Sequence, residues 1–228
     1  WAVRPVELAW QQQKQFLSDA SHELKTPLTV ILSSADLLAE SAPAEEQTYV
    51  ENIRAESRRM KKLVEEMLTL FRAESVRRET AFSEVDLSDV VTDAALRFEP
   101  VVFESGRRLL YTIDEGLQVS GDRDALERLT GILLDNAVKY ALPATPIRFV
   151  LEKGKPGVVL RCSNACTPLA EGETEKLFDR FYRSDQARSA DGSFGVGLSI
   201  ARSIAEGHRG AISARTEGDT ITFTALLK

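Results

Sequence analysis

The sequence predicts a multidomain chain of α then α+β structure, a helical hairpin followed by a mixed domain, on three observations. Apolar residues recur at helical spacing from about residue 6 to 74. Beyond about residue 82 the pattern changes to short stretches of alternating apolar residues separated by helical ones. The junction "RAESVRRETAFS" is short and polar, which sets the expected domains at 1–78 and 79–228. With 228 residues, each part is long enough to bury a core.

In the first helix Leu17, Leu24, Ile31 and Leu38 repeat every seven residues, and Ser21, Leu28 and Ala35 follow the first three by four. That is a coiled-coil-like seam. "SAPAEE" interrupts it, and Ala42-Pro43 is the predicted turn. The second helix repeats the pattern with Ile53, Met60 and Met67, joined by Val50, Ser57, Val64 and Phe71. Two helices cannot enclose such seams alone, so the expectation is a homodimer whose two hairpins make a four-helix bundle.

One imidazole, His22, stands in "DASHELKTPLTV". At about 100° per residue it lies about 200° from Leu24 and about 240° from Leu28, so it should face away from the seam. Pro27 has no amide hydrogen for the carbonyl of Glu23 and should bend the helix just after His22. An outward histidine beside a carboxylate and a mid-helix proline is hard to explain by folding alone.

In the second part "RLLYTID", "PIRFVLEK", "GVVLRCSN", "AISART" and "TITFTALL" are predicted strands. Helices are expected over "SDVVTDAALRFEPVVFESG", "DRDALERLTGILLDNAVKYA" and "GLSIARSIAEGH", with Ser88 and Asp122 as N-caps and Gly106 and Gly207 as stops. The sum is a mixed sheet with helices packed on one face.

Composition narrows the function. Charged residues make up 28% and the formal net charge is −6, which argues against nucleic-acid binding, since that needs a basic face. Cys162 and Cys166 stand four apart with no second pair and no nearby histidine, so neither a zinc site nor a disulfide framework is expected. No apolar run approaches bilayer length, and "WAVRPVELAW" lacks the layout of a signal peptide.

Four stretches resemble the motif set of bacterial sensor histidine kinases: "FLSDASHELKTPLTVI" the phosphoacceptor box, "LLDNAVKYA" the asparagine box, "LFDRFYRSD" the phenylalanine box and "GVGLSIA" the second glycine box. They occur in family order and span nearly the whole chain. The resemblance implies a dimeric hairpin carrying the histidine, then an α/β-sandwich ATP-binding domain of the Bergerat type shared with gyrase, Hsp90 and MutL.

It further implies that His22 takes the γ-phosphoryl group of ATP and passes it to an aspartate in the receiver domain of a response regulator. A neutral imidazole is a competent nucleophile near pH 7. Glu23 is the candidate to orient it and accept its proton, or else a solvated helix carboxylate. Thr26 either orients a water for regulator dephosphorylation or bonds back to the preceding turn. Asn136, read as a buried amide, is assigned by the family to Mg2+; Lys139 to phosphate; Tyr140 to the nucleotide pocket. Asp135 beside them is either part of this group or surface. Gly195 and Gly197 precede a helix expected to start near Leu198, whose free amides suit an anion. The polar stretch "RSDQARSADGSF" reads as a lid, and Arg180 and Arg183 either approach phosphates or solvate the surface. His208 is expected to be structural.

The first glycine box departs from the family: Asn164-Ala165-Cys166-Thr167-Pro168 stands where Asp-x-Gly-x-Gly belongs. Asn164 retains a neutral acceptor for the adenine amino group, whereas Pro168 cannot adopt a left-handed glycine conformation. Altered ATP binding is therefore expected. The leading expectation is an active autokinase with regulator phosphatase activity. Its rivals are a nucleotide-poor homologue serving as phosphatase or phosphotransfer scaffold, and a gyrase-like nucleotide hydrolase, against which the phosphoacceptor box argues. The start at Trp1, already helical in pattern, suggests an upstream input segment, membrane-spanning in the family, which would set the chain at the cytoplasmic side of a bacterial membrane.

Overall fold

The structure, a computed structural model, describes residues 24–25, 27–40, 43–79, 82–170, 172–183 and 194–228. It divides into two units, Trp1–Arg72 and Ala73–Lys228.

The first unit holds helical residues 24–25 and 27–40 (α1) and most of α2, Ala44–Glu79, whose last turns beyond Arg72 belong to the second. The seams split into two rows. Leu28 and Ala35 of α1 and Val50, Ser57, Val64 and Leu70 of α2 are buried. Leu24, Ile31 and Leu38 remain 46–54% exposed in a single chain, as do Ile53 and Met60 at 46% each. Among the described residues three ion pairs join the helices in antiparallel register, Lys25–Glu65 at 3.5 Å and Asp36 with both Arg54 at 2.6 Å and Arg58 at 4.0 Å. Being largely exposed, such pairs contribute little energy but do favour one alignment over others.

The second unit runs β1 (Ser83–Asp86), α3 (Leu87–Glu104), β2 (Arg108–Ile113), β3 (Gln118–Gly121), α4 (Arg123–Tyr140), β4 (Pro146–Lys153), β5 (Val158–Ala165), α5 (Glu173–Lys176), α6 (Gly197–Gly207), β6 (Ala211–Glu217) and β7 (Thr220–Leu227). Five strands form one sheet in the order β2-β4-β5-β7-β6, parallel between β2 and β4 and antiparallel elsewhere. Alternation decides its inner face: Ile147, Phe149 and Leu151 of β4, Leu160 and Cys162 of β5, and Ile221, Phe223 and Ala225 of β7 are buried. Against them lie Val90, Val91 and Ala94 of α3, Leu126, Leu129 and Leu133 of α4, and Ile200 and Ile204 of α6. Each large side chain so buried contributes about 1.5–3 kcal/mol. The result is the mixed sheet covered on one face that the pattern predicts.

Four local features differ from expectation. The strands β1 and β3 pair with each other, Val85 opposite Val119, in a two-stranded ribbon that four-residue segments are too short to announce. Asp86, not Ser88, caps α3, accepting from the Asp89 amide at 3.2 Å. Ser88 instead lies inside the helix, where its hydroxyl donates to the Asp114 carbonyl (2.7 Å) and accepts from the Leu117 amide (2.9 Å). Gly207 is the last helical residue of α6, and the left-handed residue beyond it is Arg209, φ 55°. Asp122 does cap α4, accepting from Ala125 at 3.2 Å.

Candidate functional site

His22, Glu23 and Thr26 lie outside the described residues, as do residues 184–193 of the predicted lid over 183–194. The remaining predicted site residues belong to the second unit and gather on α4, the end of β5 and the start of α6.

Helix α6 starts at Gly197, one residue earlier than expected, after the fully buried Val196. Among the described residues no side chain caps it, which leaves its first amides, at the positive end of the helix dipole, without a capping partner. Leu198 occupies its first turn, half-buried. A Cβ placed on Gly197 would lie 3.6 Å from Ile132 Cγ2, which sets this helix start against α4 one turn before Asn136.

Asn136 is half-buried rather than buried, which corrects the expectation drawn from its apolar neighbours. Its side chain makes no hydrogen bond to another described residue, leaving its amide oxygen available to a hard cation that takes its other ligands from phosphate and water; the side chain thus fits Mg2+. Lys139 pairs with Asp135 at 2.6 Å along the helix. This gives Asp135 a role in orienting the ammonium. Tyr140, half-buried, ends the helix.

Gly195 is held by geometry. Its φ is +70°, its carbonyl accepts from the Phe181 amide at 3.0 Å, and a Cβ there would meet the Tyr182 carbonyl oxygen at 2.4 Å. Only glycine combines that conformation with that approach. Arg183 lies alongside, half-buried, and Arg180 is exposed. The segment is anchored from below by Phe178, buried edge-on to Phe223 and covered by the Arg202 guanidinium at 4.7 Å. A second anchor escaped the sequence reading: the Tyr182 hydroxyl donates to Glu173 Oε1 at 2.8 Å, while Oε2 accepts from the Ala170 amide at 2.8 Å. The amide first, then the hydroxyl, holds this carboxyl below its usual range. A nine-residue separation matches neither helical nor strand period, so no pattern signalled the pair.

Asn164, in β5 between Ile147 and Ile221, is 2% exposed. Its Nδ2 donates to the Ala165 carbonyl at 3.0 Å, and Oδ1 has no partner among the described residues. A buried orphan acceptor is costly, and a ligand amino group would satisfy it. The neighbouring cysteines are free thiols; burial pushes Cys162 up to about 12 and raises Cys166, so neither is a thiolate nucleophile near neutrality. Among the described residues no cluster of histidine, cysteine and carboxylate groups could hold a metal, and no helix is long and apolar enough to cross a membrane.

Residues 12–76 match the family model of the His Kinase A (phospho-acceptor) domain, and residues 121–228 that of the histidine kinase-, DNA gyrase B- and HSP90-like ATPases. The sensor protein DltS of Streptococcus agalactiae is 34% identical over 225 residues, 99% of this chain and 56% of that protein. The sensor histidine kinase YkoH of Bacillus subtilis is 35% identical over 224 residues, 94% of this chain and 48% of its own length. The chain thus spans about half the length of these curated relatives. Among solved structures, full-length ShkA in complex with AMPPNP is alike in fold, with a TM-score of 0.75 at 22% identity over 94% of this chain and 46% of that one. The mycobacterial sensor histidine kinase MprB is similar with a TM-score of 0.54 at 25% identity, over 64% of this chain and 99% of that one.

Proposed function

The chain belongs to the bacterial sensor histidine kinases, and on that premise we propose that it is an ATP-dependent autokinase whose residues 1–78 carry the phosphoacceptor and residues 79–228 the nucleotide. The observation that carries this reading is the uncapped start of α6 set against α4 one turn from Asn136. It supplies free amides, a positive dipole end and an uncommitted amide oxygen at one place, the requirements of a triphosphate.

In this reading a ring nitrogen of His22 attacks the γ-phosphorus; the nitrogen–phosphorus bond forms as the bond to the bridging oxygen breaks, and ADP leaves. Glu23 orients the imidazole and takes the proton its other nitrogen releases. The amides of Gly197 and Leu198 bind phosphate oxygens, and Gly195 lets the preceding backbone approach them closely. Lys139 and Arg183 add positive charge, Tyr140 lines the nucleotide, and Asn164 Oδ1 accepts from the adenine amino group. Asn136 would hold Mg2+, whose charge offsets that of the phosphates. The phosphoryl group then passes to an aspartate in the receiver domain of a response regulator, and Thr26 orients the water that later hydrolyses that aspartyl phosphate, freeing the carboxylate and releasing inorganic phosphate. Two chains act together as a homodimer, at the cytoplasmic side of the membrane where ATP is available. The relatives, a sensor protein and a sensor histidine kinase by name, do not favour the rival reading as phosphatase or scaffold.

Incubation with γ-labelled ATP and magnesium tests the proposal. Label that needs His22, is absent from His22→Gln and is lost in acid supports it. A protein that binds magnesium-ATP yet never acquires label overturns it.

A further inference from the structure

We infer that Arg107 is a positioning residue for the nucleobase end of the site, fixing the side-chain amide of Asn164 as an acceptor; this rests on the reading of Asn164 as the adenine contact. Arg107 stands at the close of α3, where its amide donates to the Val102 carbonyl (3.1 Å) and the Gly106 amide to Phe103 (2.9 Å), with Gly106 left-handed at φ 73°. This double closure fixes the backbone from which the side chain departs. The guanidinium then reaches across to the end of α4. Its Nε donates to the Leu142 carbonyl at 3.2 Å, one Nη to Ala141 and the other back to Ser105 at 3.3 Å. A positive fork on the carbonyls of a helix C-terminus is favourable both as hydrogen bonding and against the dipole.

The turn so clamped shares a carbonyl with Asn164. The Leu142 amide donates to the Ala165 carbonyl at 2.9 Å, and the same carbonyl receives Asn164 Nδ2 at 3.0 Å. With one N–H of Nδ2 committed to that carbonyl the amide is held in one orientation, its oxygen turned to the side away from Ala165 as the group's acceptor. That oxygen suits the exocyclic amino group of adenine and repels the carbonyl that guanine carries at the corresponding position. With a carboxylate here the acceptor character would be intrinsic; with asparagine it depends on the orientation, hence on the Ala165 carbonyl, the Leu142 turn and Arg107. Tyr140 ends the clamped helix and shares the same support.

The test is calorimetric titration of the whole chain with magnesium-ATP and magnesium-GTP, for wild type, Arg107→Met and Arg107→Lys, each checked by circular dichroism at a temperature where it is folded. Arg107→Met should weaken ATP by about threefold to tenfold and lower the ATP-to-GTP preference, with KM rising at constant kcat, and Arg107→Lys should recover part of both. A general loss of packing would not move the nucleobase preference. If Arg107→Met fails to fold, Arg107→Lys decides alone, because it keeps the charge and loses the fork. Unchanged affinity and preference in a folded variant overturn the role of Arg107 while leaving the site intact. A wild type that binds neither nucleotide overturns the site and Arg107 together.

Discussion

His208 Nε2 accepts a hydrogen bond from the backbone amide of Asp122, 3.0 Å away, so the residue that ends α6 helps to close the start of α4. The acceptor role fixes the tautomer: the proton sits on Nδ1 and is donated to the Ile204 carbonyl at 2.8 Å. Phe82, just ahead of β1, stacks on the ring at 4.9 Å. Its expected structural role is thereby explained.

Burial lowers the pKa of His208 below 6.5, opposed by the Ile204 carbonyl and by the charge of Asp122. The folded state therefore favours neutral imidazole. Stability from this group is fully present above the unfolded value near 6.5 and is lost as pH falls through the lower folded value. Urea unfolding between pH 5 and 8 should show a decline on the acid side that His208→Phe lacks, that variant being about 1–3 kcal/mol weaker at pH 8 because the Asp122 amide loses its acceptor. Parallel pH curves for the two proteins would refute the assignment.

The two glycines at the start of α6, one before it and one opening it, should part company. An added Cβ at Gly195 meets backbone at 2.4 Å in a left-handed conformation, whereas at Gly197 it meets only Ile132 Cγ2 at 3.6 Å. Gly195→Ala should therefore lose local order, seen as faster amide exchange over 181–183 and 195–198, together with nucleotide affinity. Gly197→Ala should melt within about 1 kcal/mol of wild type, yet bind ATP more weakly wherever phosphate approaches that Cα closely. Full affinity in Gly197→Ala would mean that the triphosphate lies elsewhere.

The exposed row on the hairpin makes a third prediction. Ile31 and Ile53 are each 46% exposed in the single chain although both continue heptad seams. A second copy of the hairpin is the partner expected to cover them. Ile31→Glu with Ile53→Glu should shift sedimentation from dimer to monomer at micromolar protein while leaving the sheet domain's thermal transition in place. A double variant that still sediments as a dimer would show that other surfaces hold the chains together.

Legibility followed period length. Strands β4 and β7 match their predicted spans because eight alternating residues declare a half-buried strand, and the Asp122 cap was visible from its place before an apolar run. By contrast β1 and β3 are four residues each, below the length at which alternation stands out. Asp86 and Ser88 are both good caps two positions apart; what chose between them is the pairing of Ser88 with Asp114 and Leu117, 26 and 29 positions away. The site divides likewise. Gly195 and Gly197 announce themselves by composition, but the exposure of Asn136, the orphan oxygen of Asn164 and the reach of Arg107 over 34 and 35 positions arise only from tertiary neighbours.

Asn164→Asp separates what this chain needs to fold from what it needs to bind. The carboxylate would restore the charged acceptor that the family uses for the adenine amino group, and charge-assisted bonds are roughly twice as strong as neutral ones. It also removes the Nδ2 donor from Ala165 and sets a buried anion beside that carbonyl, at a position 2% exposed. The ligand-free variant should thus be less stable by about 1–3 kcal/mol at pH 7 and regain stability as acid protonates the buried group, because a raised folded pKa favours the native state below it. Magnesium-ATP should bind the folded variant more tightly than wild type and raise its melting temperature by a larger increment. Equal affinities would show that the neutral amide already does the work of the carboxylate, and an undiminished stability would mean that the hydrogen bond to Ala165 does not anchor the side chain.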